Sequence, residues 1–263
     1  MTEAGVDIEG VVSRLRAAGC VFAEDEARLL VEAAASDAEL DRLVERRAGG
    51  TPLEQILGWA AFRGLRLFVE EGVFVPRLRT EFLADLALAE IRPGSVVLDL
   101  CCGVGALAAA IEAEGWEGVE VYAADIDPVA VRCARRNLAH ADGVFEGDLF
   151  DALPGRLRGR VDVIALNAPY VPTDEIRHMP PEARDFEARI ALDGGRDGLD
   201  VHRRVAAEAR EWLVPGGLLV IETSTEQADG TLALFTERGY DARVASDVDR
   251  DATAVAARSP LAP

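Results

Sequence analysis

The chain has 263 residues, 49% of them hydrophobic, and a formal net charge of -19. That length and apolar content support a large buried core, as one big domain or a big one with a small one, and exclude extended disorder. An acidic protein with no dense basic run repels a phosphate backbone at long range, which makes nucleic acid a poor substrate.

In chain order, Met1-Thr2-Glu3-Ala4-Gly5-Val6-Asp7 lacks the basic start and apolar centre of a secretory signal. The longest apolar stretches, such as Leu213 to Ile221, are broken by Pro215, Gly216 and Gly217 and are too short to span a bilayer. No membrane partner and a cytoplasmic location are therefore expected. From residue 6 to 48 apolar residues recur at three- and four-residue intervals, which predicts three helices. Ser36 and Glu39 form a capping box for the third, and Gly49-Gly50 ends it. A short fourth helix starts at Thr51-Pro52. Phe62 to Val69 alternates, and Val73-Phe74-Val75 follows a Glu-Gly turn, so a β-hairpin is predicted to join this part to the rest, with the boundary near residues 70 to 76.

After Pro76 strands and helices alternate, the pattern of an α/β protein with a parallel sheet wrapped by helices. Strands are placed near residues 96–100, 119–124, 143–146, 161–166 and 218–223. A last hairpin pairs Asp241–Ala245 with Ala252–Arg258 across the acidic turn Ser246 to Asp251. The long stretch between Tyr170 and Gly195 directly follows the tetrad Asn167-Ala168-Pro169-Tyr170 and suits a substrate-facing lid.

Two constellations carry chemistry. The first is the strand Val96 to Leu100 running into Cys101-Cys102-Gly103-Val104-Gly105 and an Ala-rich helix. Glycines there let backbone amides and a helix's positive end approach a ligand. An acid about 20 residues on, here Asp125, can hold ribose hydroxyls of a dinucleotide or of S-adenosylmethionine, so the turn alone leaves the cofactor class open. Asp99 inside the strand, and Asp148 with Leu149 after the third strand, favour S-adenosylmethionine as cofactor; the plain alternative for Asp148 is a helix cap.

The second is Asn167-Ala168-Pro169-Tyr170 at the carboxyl end of the run Val161 to Leu166. An amide or aromatic amine nitrogen is a poor nucleophile because its lone pair is delocalised. The Asn167 side-chain oxygen and the Ala168 carbonyl can each accept one N–H of a substrate NH₂ group while Tyr170 packs on its plane and Pro169 stiffens the turn. The alternative is an ordinary strand-to-loop exit. The three histidines, His140, His178 and His202, lack metal-ligand spacing and are expected at the surface or an edge, so no metal is expected. The four cysteines, Cys20, Cys101, Cys102 and Cys133, are expected as small reduced residues.

Taken together these segments resemble the HemK/PrmC-type protein N5-glutamine methyltransferases. The resemblance rests also on Thr51 to Gly58, on Pro76-Arg77-Leu78-Arg79-Thr80-Glu81, on Asp125-Ile126-Asp127-Pro128, on Ala191 to Asp200, and on Leu213-Val214-Pro215-Gly216-Gly217. It implies a Rossmann-like methyltransferase domain with a seven-stranded sheet at residues 73–263. It also implies a helical substrate-docking domain with a hairpin linker at 1–72. The implied partner is a protein, a peptide-chain release factor carrying a Gly-Gly-Gln motif. S-adenosylmethionine would lie on the Cys101–Gly105 turn and Asp125, and the glutamine amide on Asn167 to Tyr170. Two departures stand out: Ala168 where the family has a first proline, and Cys101-Cys102 where it has Gly-Thr. The competing readings are an adenine N6-methyltransferase, to which the same tetrad is suited, a cofactor-binding paralogue without turnover, and, more distantly, a nicotinamide dehydrogenase.

Overall fold

A computed structural model describes residues 7–140 and 143–261. Four helices come first: α1 (Ile8–Ala17), α2 (Ala23–Ala33), α3 (Asp37–Ala48) and the single turn α4 (Leu53–Leu57). Leu15, Ala27, Leu30 and Val44 close a core of their own between them, the packing expected of amphipathic stripes at helical spacing. Ser36 accepts from the Glu39 amide at 3.3 Å, and the Glu39 carboxylate reaches back to the Ala35 amide at 2.8 Å, so the predicted box closes one residue early.

The hairpin is displaced from its expected place. Its strands are β1 (Trp59–Phe62) and β2 (Leu65–Phe68), turning at Arg63-Gly64, where both residues have positive φ. That is the geometry of a two-residue turn matched to strand twist, and Arg63 hides it because arginine rarely signals such a turn. Val73–Val75 is not a strand; the Gly72 carbonyl instead accepts from the Ala188 amide at 2.8 Å. Side chains of Ala60, Phe62, Leu67 and Val69 join the core beneath the main sheet.

Beyond it the chain alternates as the sequence predicts. It runs α5 (Thr80–Leu88), β3 (Val96–Leu100), α6 (Ala106–Ala113), β4 (Glu120–Asp125), α7 (Pro128–Asn137), β5 (Val144–Glu146) and β6 (Val161–Leu166), then α8 (Pro181–Phe186), α9 (Asp200–Glu208), β7 (Leu213–Thr223), α10 (Ala228–Thr236), β8 (Asp241–Asp247) and β9 (Ala252–Arg258). Strand β8 runs two residues past its expected end, so the acidic turn shortens to Val248–Asp251. The seven strands lie in the order β5-β4-β3-β6-β7-β9-β8, parallel from β5 to β7, with β9 antiparallel to both neighbours. Helices cover both faces, as a parallel sheet with apolar residues on either side requires.

His202 corrects another expectation. It is fully buried on α9, in line with Val205, Ala206 and Ala209 at helical spacing, and its Nδ1 lies 3.0 Å from the Thr231 hydroxyl. Burial pushes its pKa down to about 4.

Candidate active site

From β3 the chain builds outward to β4 and β5, then returns to lay β6 on the other side of β3. Ligands of open α/β sheets bind in the crevice at the carboxyl ends of the strands where the order reverses. A cavity of about 370 Å³ opens there, lined by Cys101, Gly103, Asp125 and all four residues Asn167, Ala168, Pro169 and Tyr170. A recess of about 40 Å³ adjoins it, sharing Phe74, Cys101, Gly103 and Asn167 and reaching Asp99, Cys102 and Thr80.

The Asn167 amide nitrogen donates to the Thr80 hydroxyl at 3.2 Å, while among the described residues no donor reaches its Oδ1 or the Ala168 carbonyl. Tyr170 receives a bond from Arg79 at 2.9 Å and gives one to Glu222 at 3.2 Å; burial and the Glu222 carboxylate push its pKa up to about 12, so it stays a phenol. The backbone beyond is stitched to the segment Ala191 to Gly198. Val171 donates to Leu192 at 3.0 Å, Gly194 to Val171 at 2.8 Å, and the Gln227 side chain to the Tyr170 carbonyl at 2.9 Å. A Cβ at Gly194 would stand 2.7 Å from the Tyr170 Cα and 2.8 Å from the Pro169 carbonyl. Only a residue without a side chain lets that segment close on the tetrad.

Around the turn after β3, Asp125 accepts from the Gly103 amide at 2.8 Å and from Asp127 at 2.9 Å. Asp99 accepts from Ala108 in the first turn of α6 at 3.0 Å. Burial raises the pKa of both carboxyls, of Asp99 most strongly. Cys101 and Cys102 are likewise held as thiols, by burial first and then by the Asp125 and Asp99 carboxylates. Gly105 does not line the cavity; it starts α6 with φ +80, and a Cβ there would press to 3.2 Å on that of Ala134. Asp148 and Leu149 also stand outside the lining. The Asp148 carboxylate makes no cap bond to the turn that follows it and pairs with Arg204 at 3.0 Å, while Leu149 is buried.

The stretch expected as a lid does face the cavity, through Met179, Pro180, Ala183 and Ile190. It is tied down, however, and forms a wall. Gln55 bonds the Phe186 carbonyl at 3.1 Å, Glu187 holds Arg77 at 2.6 Å, and Glu182 meets Arg47 of α3 at 2.7 Å. Pro52 and Glu54 complete the rim on the helical side. Arg79 and Thr80 lie in a segment that carries the resemblance and Phe74 in the expected hairpin, but the sequence assigns none of them, nor Glu222, a role at the site. Glu222 had a usable signal, a carboxylate at the carboxyl end of an apolar strand.

Residues 68–179 match the family model described as Methyltransferase small domain. The chain is 38% identical over 201 residues to the release factor glutamine methyltransferase of Geobacter sulfurreducens, covering 75% of this chain and 69% of that protein. It is 36% identical over 281 residues to the release factor glutamine methyltransferase of Cereibacter sphaeroides, covering 97% and 98%. The crystal structure of a methyltransferase from Pyrococcus furiosus matches with a TM-score of 0.56 at 18% identity, over 76% of this chain and 92% of that one, a likeness of fold.

Proposed function

The chain belongs to the release factor glutamine methyltransferase family, and from that premise we propose that it methylates the side-chain nitrogen of a glutamine in a peptide-chain release factor. The observation that carries the reading is that Asn167 Oδ1 and the Ala168 carbonyl, neither reached by a donor among the described residues, belong to adjacent residues lining a cavity that Asp125 also lines. A carboxamide NH₂ has two N–H groups in one plane. Two acceptors engaging both would fix that plane and draw electron density toward nitrogen, and the gain is one of position and preorganised polarity.

The family's methyl source is S-adenosylmethionine, whose sulfonium supplies an electrophilic methyl group when bound. The residues fit such a ligand: Asp99 and Asp125 offer carboxyl oxygens, acceptors for the ligand's ammonium and ribose hydroxyl donors, at a cavity with apolar walls. In this reading Asp99, Cys101, Cys102, Gly103 and Asp125, with Asn167, line the cofactor's place and Gly105 shapes the turn, while Asp148 and Leu149 stand outside that lining. Asn167, Ala168, Pro169 and Tyr170 hold the amide. Tyr170, a phenol at neutral pH, packs on the amide plane and takes no proton. The proton lost from the alkylated nitrogen passes to water. Residues 1–72 dock the protein substrate and residues 73–263 carry the chemistry, a division supported by Pro52 and Glu54 at the cavity rim. The charge of -19 supports a protein target over a nucleic acid.

Mass spectrometry of release factors incubated with the protein and labelled S-adenosylmethionine tests this reading. One added methyl on the glutamine of the Gly-Gly-Gln motif is expected. Asn167→Ala should lower kcat by about 10² or more while cofactor affinity stays within about threefold. No label on glutamine, or full turnover by Asn167→Ala, refutes the assignment.

A further inference from the structure

A carboxamide that must present its oxygen has a weakness: rotated by half a turn it fits the same space and presents its NH₂ instead. Facing a substrate NH₂, the rotated group would set donors against donors. Something must therefore fix which way round Asn167 stands.

The surroundings of Asn167 contain such a device. The Asn167 Nδ2 lies 3.2 Å from the Thr80 hydroxyl, and that hydroxyl lies 2.7 Å from Glu222 Oε2. A carboxylate only accepts, so the Thr80 proton is committed to Glu222 and its lone pairs face Asn167. Thr80 can then receive an N–H from the carboxamide and can give nothing to its oxygen. The Glu222 residue is 2% exposed and takes three donors: the Thr80 hydroxyl, Arg79 Nε at 3.1 Å and the Tyr170 hydroxyl at 3.2 Å. The Arg79 guanidinium, its ion-pair partner, also bonds the Tyr170 hydroxyl at 2.9 Å. One buried carboxylate thus reaches both ends of the tetrad.

We propose that Thr80 and Glu222 are positioning residues for methyl transfer: the relay from Glu222 through the Thr80 hydroxyl holds the Asn167 oxygen toward the substrate, while the same carboxylate anchors Tyr170. The proposal rests on the glutamine-amide reading above for its catalytic consequence, and on the hydrogen-bond polarity alone for the orientation of Asn167. The fold explains how the parts meet. Leu166 of β6 pairs with Ile221 of β7, so Asn167, just past β6, and Glu222, next to last in β7, stand at one level on neighbouring parallel strands, and the first residue of α5, Thr80, bonds both.

The chain has two asparagines, Asn137 and Asn167, so labelling with ¹⁵N-asparagine gives two side-chain NH₂ pairs, with Asn137 as an internal reference. Asn137 is held by Phe68 and Val104 carbonyls away from this relay. In the full chain, Thr80→Val keeps the side-chain shape and deletes the hydroxyl. It should move the Asn167 pair and speed its exchange with water about tenfold or more, leave the Asn137 pair in place, and leave S-adenosylmethionine affinity within about threefold. A displaced catalytic group costs up to about 10² in rate, so kcat should fall about 10- to 100-fold with KM for the protein substrate changed far less. Thr80→Ser should restore both signals and bring kcat to within about threefold of wild type. Glu222→Gln, which can donate to Thr80 and turn its lone pairs away, should reproduce the Thr80→Val spectrum and provides a second route should one variant fold poorly.

An unchanged Asn167 pair in both folded variants overturns the proposal, whatever the activity. So does a displaced pair with undiminished kcat. A wild-type protein that never methylates a release factor glutamine sinks the substrate reading instead; the spectra then decide the orientation of Asn167 on their own.

Discussion

Replacing Arg47 by methionine should loosen the helical unit and the cavity wall together. The guanidinium is 6% exposed and grips Glu26 of α2 twice, at 2.6 Å and 3.2 Å, while its remaining nitrogen meets Glu182 at 2.7 Å. Glu182 is 48% exposed, so that pair is worth less than about 1 kcal/mol. The Glu26 side chain is only 11% exposed, and removing its sole described cationic partner leaves a buried charge uncompensated. Such a loss costs about 3–5 kcal/mol. Arg47→Met should therefore lower the urea unfolding free energy by about that amount, with a reduced slope if the helical unit opens by itself. The double variant Glu26→Met, Arg47→Met removes both charges and should recover to within about 1 kcal/mol of wild type. Because Glu182 belongs to the wall, the KM for the protein substrate should rise in both variants while S-adenosylmethionine affinity does not change. An Arg47→Met protein within about 1 kcal/mol of wild type, or a double variant no better than the single one, refutes the reasoning.

Three further outcomes follow from buried groups. His202 titrates near 4 in the fold against an ordinary 6.5, so the unfolded chain binds more protons between those values and its contribution to stability, complete above pH 6.5, is lost as pH falls toward 4. At pH 5 the loss is about 2 kcal/mol, and His202→Gln should flatten the pH dependence of urea unfolding by that amount; parallel curves for the two proteins speak against it. Cys101 stands among the Asp99, Asp125 and Asp148 carboxylates, which add to burial in raising its thiol well above 9.0. Its alkylation by iodoacetamide, read by peptide mass spectrometry, should still be accelerating above pH 9, and a plateau near neutral pH would contradict that. Among the described residues the Ala168 amide donates to no acceptor, so Ala168→Pro forfeits no bond and should stabilise the protein by about 0.4–1 kcal/mol with kcat retained. A lower melting temperature would count against that.

The alternation of apolar runs and helical stripes made the sheet legible, because strands buried on both faces are nearly continuous apolar segments. Val161 to Leu166 stands as placed, whereas the strand expected at 218–223 already begins at Leu213 and runs through Pro215, Gly216 and Gly217. The first hairpin was misplaced, since its turn uses Arg63 in a left-handed conformation and Gly72 offered a stronger lure. His202 was unreadable as a buried residue for a related reason: a lone histidine counts as polar in any pattern, and its burial is only half satisfied, Nδ1 facing the Thr231 hydroxyl while Nε2 has no partner among the described residues.

The candidate site was legible where its residues are contiguous and hidden where they are not. Thr80 and Glu222 lie 142 residues apart, and Thr80 and Asn167 87 apart, so no local window shows them as partners. Sheet register supplies the missing rule. In a parallel sheet all strands end at one edge, and polar residues at or just past those ends are brought level regardless of their separation in sequence. Cys101 after β3, Asp125 ending β4, Asn167 after β6 and Glu222 near the end of β7 all satisfy it. Asking that of every strand end finds Glu222 from sequence alone. Thr80 stays hidden even so, because it enters from the start of a helix, and its part depends on the direction of one hydroxyl proton.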